Sequence, residues 1–447
     1  MPNLQPSAKS SCFSRRTTLQ ALAGASTVWA LPSGWAQQSP NPGNAASNGR
    51  LVVLFLRGAY DGLSALVPHG DANYYKLRPT IALPVPDGTA QTTLALDATF
   101  GLHPALAALM PLWNQGVLAA LPAAGSPDTT RSHFDAQHHW EIGVPGKSSN
   151  LPGWMNTLAG IKAQTPEPAA QGHTSKPTNG VSGALAIGVG EANPQILAGA
   201  APVQLVPRGQ AATRQGAVGD ERTRDAVLRL YSGQDALSQA FRAGANSRMQ
   251  TAQTLSAEMA DPAMSSREMV AANNGAGNAQ GLLLDARHLG TLMRHDRRLR
   301  LGFLSAGGWD THANQGAVAG GLANNLGSLA ATLVQLRKDF SQPDDVVVVC
   351  SEFGRTSAEN GTRGTDHGHG NTLWLMGNRV HGGRWHGGWT GLAQGNLHEA
   401  RDLPVHNDFR GVFAQVLRST QGLSSAETEL LFPGYSWDKS LDGLMRT

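Results

Sequence analysis

Three apolar runs in this chain each end on a glycine or polar cluster, and that pairing constrains the fold more than any other feature. "RLVVLFLRGAYDG" carries Leu51 to Leu56 without a break and stops at Gly58. "LRLGFLSAGGWDTH" and "DDVVVVCSEFGRT" repeat the arrangement. A short unbroken apolar run is how a strand buried on both faces reads, because alternation arises only where one face meets water. "VLAALPAAG" and "ALAIGVG" have the same character. Segments of helical spacing lie between the runs: "GLHPALAALMPLWNQG", the region 220–260, "NAQGLLLDARHLGTLMRHD" and "GGLANNLGSLAATLVQLRKDF". Strands alternating with helices predict an α/β fold, with a central, mostly parallel sheet sandwiched between helices.

The chain has 447 residues, room for one large domain or two medium ones. Its net charge is +3, and the basic residues gather at the N-terminus and in "LMRHDRRLR" at 292–300. No basic block alternates with aromatics, which argues against a nucleic-acid partner. No solenoid-type repeat is present. Residues 1–36 read as targeting sequence. "SRRTTLQ" places Arg15 and Arg16 before an Ala-rich apolar stretch, and Gly34 and Ala36 precede a cleavage point at Gln37. The arginine pair resembles a twin-arginine signal, with Thr18 where that pattern prefers Phe. The expected partner during export is the twin-arginine translocase, and the expected location is periplasmic or secreted. Residues 37–50 read as a polar linker, 51–435 as the folded domain and 436–447 as a tail. The Pro- and Thr-rich stretch 162–183 reads as an insertion without its own core. Cys12 leaves with the signal, so Cys350 stands alone and no internal disulfide is expected. No later apolar stretch is long enough to span a membrane, so no stable insertion of the mature chain is expected.

The chemistry collects after the strands. In open α/β sheets, ligands bind beyond the carboxyl ends of strands. Asp61 follows the first run, Asp310 and His312 a later one, and Glu352 and Arg355 the "VVVVC" run. "GTDHGHGN" adds Asp366, His367 and His369 just downstream. Mixed carboxylate and imidazole suits a borderline cation such as Zn²⁺, or Mn²⁺ or Fe, where an all-oxygen set would favour Mg²⁺ or Ca²⁺; Zn²⁺ is the expected metal, with Mn²⁺, Ca²⁺ or Mg²⁺ as alternatives. Each residue also has a plainer reading: Asp61 as a turn cap, Asp310 with His312 as a hydrogen-bonded pair, Glu352 with Arg355 as an ion pair. "TRSHFDAQHH" contributes Ser132 at an expected helix start, as an N-cap or as a nucleophile activated by the metal. His133 is expected near the site, and His138 and His139 toward solvent.

These segments, together with "FGLHPALAALMPLW", "SPDTTRSHFDAQ" and "NDFRGVFAQVL", resemble the bacterial exported family of unknown function called DUF1501, over about residues 50–435. That family is grouped with the alkaline phosphatase and sulfatase superfamily. The resemblance implies an alkaline phosphatase-like fold and a metal-assisted hydrolytic site at the strand ends. By position it makes Asp61, Asp310, His312, Glu352, Asp366, His367 and His369 the metal ligands. It makes Ser132 the nucleophile; His133 and Arg355 are expected, from their own places in the chain, as the catalytic residues that stabilise the charged transition state. The chain departs from the superfamily pattern in three places. The Asp310–His312 spacing is short, Phe353 rather than His follows Glu352, and Asp-His-Gly falls at 366–368 instead of a strand end.

Two functions stay open at this point. One is a metal-dependent hydrolase of phosphate or sulfate esters, acting on a small-molecule or polymer substrate. The other is a non-catalytic binding or assembly protein on the same fold. A dinucleotide oxidoreductase lacks its glycine fingerprint after the first strand.

Overall fold

The apolar runs assemble side by side. A computed structural model of the chain describes residues 49–147, 149–164, 183–190, 194–214, 220–258 and 279–446. The targeting segment, nearly all of the linker and most of the 162–183 insertion lie outside them. Among the described residues, nine strands form one sheet. They are β1 (Leu51–Leu56), β2 (Leu118–Gly125), β3 (Ala186–Gly190), β4 (Val203–Pro207), β5 (Leu301–Ala306), β6 (Val346–Cys350), β7 (Asn371–Gly377), β8 (Arg384–Trp385) and β9 (Asn407–Asp408). The order across the sheet is β8-β2-β7-β6-β1-β5-β3-β4, with β9 also on β2. β1 is central and pairs in parallel with both β5 and β6, Leu51 standing opposite Leu301 and Val346. Only β7 runs against its neighbours, β6 and β2.

Both faces of the sheet are covered, which is why its strands lack polar alternation. On one face Val52, Leu54, Leu56, Leu304 and Val349 pack against α4 (Leu282–His295) and α5 (Gly321–Asp339). On the other, Leu51, Val53, Phe55, Phe303 and Val348 pack against α1 (His133–Ile142), α2 (Trp154–Gln164) and α6 (Phe409–Gln421). Between α2 and α4 in the chain lies α3 (Ala236–Glu258), in the region read as helical. Cys350 is buried and unpaired among the described residues. No described helix is long and apolar enough to cross a membrane.

The parallel strands β1, β5 and β6 end together, so the segments after them share one rim. Gly58 turns the chain after β1 at φ +109°, and a Cβ there would lie 2.9 Å from the Asp310 nitrogen. Only glycine combines that φ with so close a backbone approach. The "GTDHGHGN" loop is held to the same rim by an antiparallel bridge between Arg355 and His367. A Cβ on Gly368 would come within 2.4 Å of the Arg355 carbonyl carbon, so this glycine lets the two segments touch.

Candidate metal centre

The centre starts at the first turn of α1. Ser132 is its N-cap, accepting from the Asp135 N–H at 3.4 Å. This sets His133 as the first helical residue, turned toward the rim. His133 Nδ1 meets Glu352 Oε1 at 2.8 Å. His312 Nδ1 meets Asp366 Oδ1 at 3.1 Å, and His367 Nδ1 meets the Arg131 carbonyl at 3.0 Å. All three partners are oxygens that only accept, so each Nδ1 carries a proton, and in the neutral ring Nε2 is left with its lone pair.

Those Nε2 atoms converge. His367 Nε2 lies 3.0 Å from His133 Nε2 and 3.0 Å from His312 Nε2. Asp310 Oδ1 is 3.2 Å from His367 Nε2 and 2.9 Å from His312 Nε2. One ligand atom each from His133, Asp310 and His367 falls within 4.8 Å of the others, and His312 adjoins them. Neutral imidazole lone pairs at such separations repel unless a proton or a cation lies between them. A tetrahedral cation with bonds of about 2.0–2.1 Å would have its donors about 3.3 Å apart. The His133–His367, His367–Asp310 and His133–Asp310 separations of 3.0, 3.2 and 3.6 Å are close to that size, so these three donors fit a metal of the zinc class, with His312 outside the set.

The surroundings fix these ligands rather than merely neighbouring them. Glu352 is buried, and its Oε1 also accepts from the Gly58 N–H and from Gln137 Nε2, both at 2.8 Å. Burial alone would raise the Glu352 carboxyl, but hydrogen bonds from His133 and Gln137 outweigh it and hold it below the usual range. The same bond to Glu352 raises His133 above the ordinary histidine value. Burial and the charge of His133 depress His367, which favours its neutral form. Asp310 is 44% exposed, so the cluster opens to solvent. Burial acts to raise the Asp310 carboxyl, and Arg355 overrides it.

Of the seven residues expected to be ligands, Asp310, His312 and His367 have donor atoms in the cluster. Asp61 does not. Its two oxygens are held by Arg78 at 2.5 and 3.0 Å, with Ser64 and Gln315 each at 2.7 Å, all buried. Three of these bonds end on Oδ2 and one on Oδ1, and the buried guanidinium already supplies the positive charge that a cation would bring. Glu352 and Asp366 each stand one step back, as hydrogen-bond acceptors behind His133 and His312. His369 faces away, its ring 4.6 Å from that of His398. His133, expected as a catalytic neighbour, is instead a member of the donor set. Arg355 is buried and fully engaged by the carbonyls of Gly58, Ala59, Trp309 and Thr365 and by Asp310 at 2.5 Å. It positions Asp310, and its fully buried side chain is shielded from a substrate. His139 is buried, contrary to its expected exposure. Sequence reasoning missed Arg78, Gln137 and Gln315. Arg78 carries one usable signal: a carboxylate buried beside a strand end needs a cation somewhere, though nothing local says which.

A family model described as "Protein of unknown function (DUF1501)" matches residues 48–431. No curated protein matches the sequence. Among solved structures, the PH0037 protein of Pyrococcus horikoshii is 9% identical, with 74% of this chain and 85% of that chain covered at a TM-score of 0.34. The alkaline phosphatase of the Antarctic bacterium TAB5 is 11% identical, with 85% and 100% covered at 0.34. The phosphonoacetate hydrolase of Sinorhizobium meliloti 1021 is 10% identical, with 69% and 57% covered at 0.29. Scores this low carry no argument about chemistry, which rests on the residues of this chain.

Proposed function

We propose, for a chain that belongs to the DUF1501 family of proteins of unknown function, a metal-dependent hydrolysis of phosphate or sulfate esters. The observation that carries this reading is the convergence of three imidazole Nε2 atoms and the Asp310 carboxylate, with every Nδ1 tied to an oxygen. A bound divalent cation, Zn²⁺ by its donor set, would supply Lewis acidity toward an ester oxygen and a lowered pKa for water. His133, Asp310 and His367 would hold it, with His312 beside them. Glu352, Asp366 and the Arg131 carbonyl keep the three rings in the ligating tautomer, an arrangement typical of metal-bound histidines. Arg355 fixes the Asp310 carboxylate and offsets its charge. Arg401 donates to the His367 carbonyl, pairs with Asp402 at 2.8 Å and is half-exposed beside the cluster.

The test is turnover of aryl phosphate and aryl sulfate probes by the purified protein, with and without a chelator. Turnover that the chelator removes is the expected result. If neither probe turns over in metal-loaded protein, the hydrolase reading falls and the non-catalytic binding reading replaces it. Ser132 serves here as a helix cap and its hydroxyl makes no contact with the cluster. Ser132→Ala is therefore expected to cost about 1 kcal/mol of stability and to leave turnover within about tenfold of wild type. A nucleophile's removal would instead cost several orders of magnitude, and steady-state rates decide between the two.

Export belongs to the same reading, supported by the arginine pair and the weakly apolar stretch after it. Cell fractionation of an Arg15→Lys/Arg16→Lys variant is expected to show the chain retained inside the cell with its N-terminus uncleaved. Normal export of that variant would remove the twin-arginine assignment.

A further inference from the structure

The opposite end of the sheet carries a second charged feature. Arg50 and Arg300 immediately precede β1 and β5, which pair in parallel from their first residues. They line an open groove of about 550 Å³ together with Arg294, Arg297, Lys338 and Asp339. Among the described residues, five cationic side chains face one carboxylate there. Asp345, buried beneath Arg50, reduces the surplus by one. Lys9, Arg15 and Arg16 account for the whole net charge of +3, so the chain from residue 49 onward is neutral overall. A neutral body with several positive charges gathered in one groove has segregated its charge, and such a groove concentrates anions.

Helix dipoles explain only part of it. Arg294 and Lys338 lie in the last turns of α4 and α5, where positive charge is favoured. Arg50, Arg297 and Arg300 lie outside any helix. Two cations are already fixed in place. Arg50 is held on Asp345 at 2.6 and 3.1 Å and over the Phe340 ring, and Arg294 on Asp339 and Thr291. Arg297 and Lys338 are exposed and have no hydrogen-bond or ion-pair partner among the described residues. Fixed guanidinium groups beside free cations suit an oxyanion with several charged oxygens, because the guanidinium fork matches phosphate geometry.

We propose that this groove binds an anion carrying two or more phosphate groups, either a free oligophosphate or phosphate headgroups displayed on a surface. It lies about 20 Å from the metal centre, one strand length away, and does not depend on the function assigned to that centre. The test uses metal-stripped protein in a His367→Ala background, which keeps the metal centre from contributing. Pyrophosphate is titrated by calorimetry, and vesicles of mixed phosphatidylglycerol and phosphatidylcholine are cosedimented. Saturable, salt-sensitive binding is expected, weakened about 10- to 100-fold by Arg297→Ala/Lys338→Ala, which removes two charged contacts. Both positions are exposed, so thermal unfolding should match the parent. Lys338→Glu is expected to weaken binding further. Loss of pyrophosphate binding in the variants assigns a soluble ligand, and loss of vesicle binding alone assigns a surface. Absence of binding to both probes, or equal binding by parent and variants, overturns the proposal.

Discussion

Protein purified with its metal complement is expected to carry one divalent cation per chain, and His367→Ala is expected to carry none. His367 is the residue whose Nε2 touches both neighbouring imidazoles and Asp310. Its removal takes away a donor and also the atom around which the others are arranged. Loss of an outer-sphere partner typically costs 10–100-fold in metal affinity, so loss of a central ligand should exceed about 100-fold. Elemental mass spectrometry of dialysed protein reads the result directly, and ester turnover should fall to background with it. Glu352→Gln gives the graded case. It keeps His133 in the fold but weakens its hold, so affinity should drop by about 10–100-fold while some metal remains. Equal metal content in wild type and His367→Ala would remove the centre from consideration. Asp61→Asn/Arg78→Met is an informative contrast, because both residues lie outside the donor set and the folded variant should keep its metal.

Arg78→Met is expected to destabilise the protein by about 3–5 kcal/mol, the usual effect of leaving a buried charge without its partner. Asp61 and Arg78 are both buried and form a two-pronged ion pair. Arg78 also donates to the Thr356 and Ser357 carbonyls at 3.0 and 2.9 Å, tying the turn after β1 to the segment after β6. Replacement orphans those carbonyls as well as the carboxylate. Whole-protein stabilities are about 5–15 kcal/mol, so the loss is a large fraction, and denaturant midpoints will show it. The rise of stability with pH should be weaker in the variant. Burial raises the Asp61 carboxyl and Arg78 overrides it, so the folded value is depressed in the wild type. That contribution is present above the unfolded carboxylate value near 3.9 and fades as pH falls through the depressed one. Without Arg78 only the Ser64 and Gln315 hydrogen bonds oppose burial, so the folded value rises and the stability gained above the unfolded value shrinks. Asp61→Asn/Arg78→Met removes both charges and should be more stable than Arg78→Met alone. If the single variant is as stable as wild type at neutral pH, the pair has no role in holding the rim together.

Much of the fold was legible because burial on both faces leaves a plain mark. Leu51–Leu56, Leu301–Ala306 and Val346–Cys350 had to be strands with covered faces, since an unbroken apolar run is stable only when no side of it meets water. Strand direction left no such mark, and β7 runs against both strands it pairs with although it is as buried as they are. The rim was legible for the same reason as the strands: residues that follow parallel strands must emerge at one end, which brings Asp310 and Glu352 together whatever their neighbours.

The sequence by itself therefore determined a layered α/β sheet and a rim rich in carboxylates and imidazoles. Only the tertiary structure decided which of those side chains face one another. His133 and His367 lie far apart in the chain yet meet at 3.0 Å, and Asp61, which sits at a strand end like Asp310, turns instead to Arg78. The physical reason is that ligation and ion pairing draw on the same atoms. A carboxylate oxygen satisfied by a guanidinium is no longer available to a cation, and which partner reaches it first depends on contacts that no local pattern records.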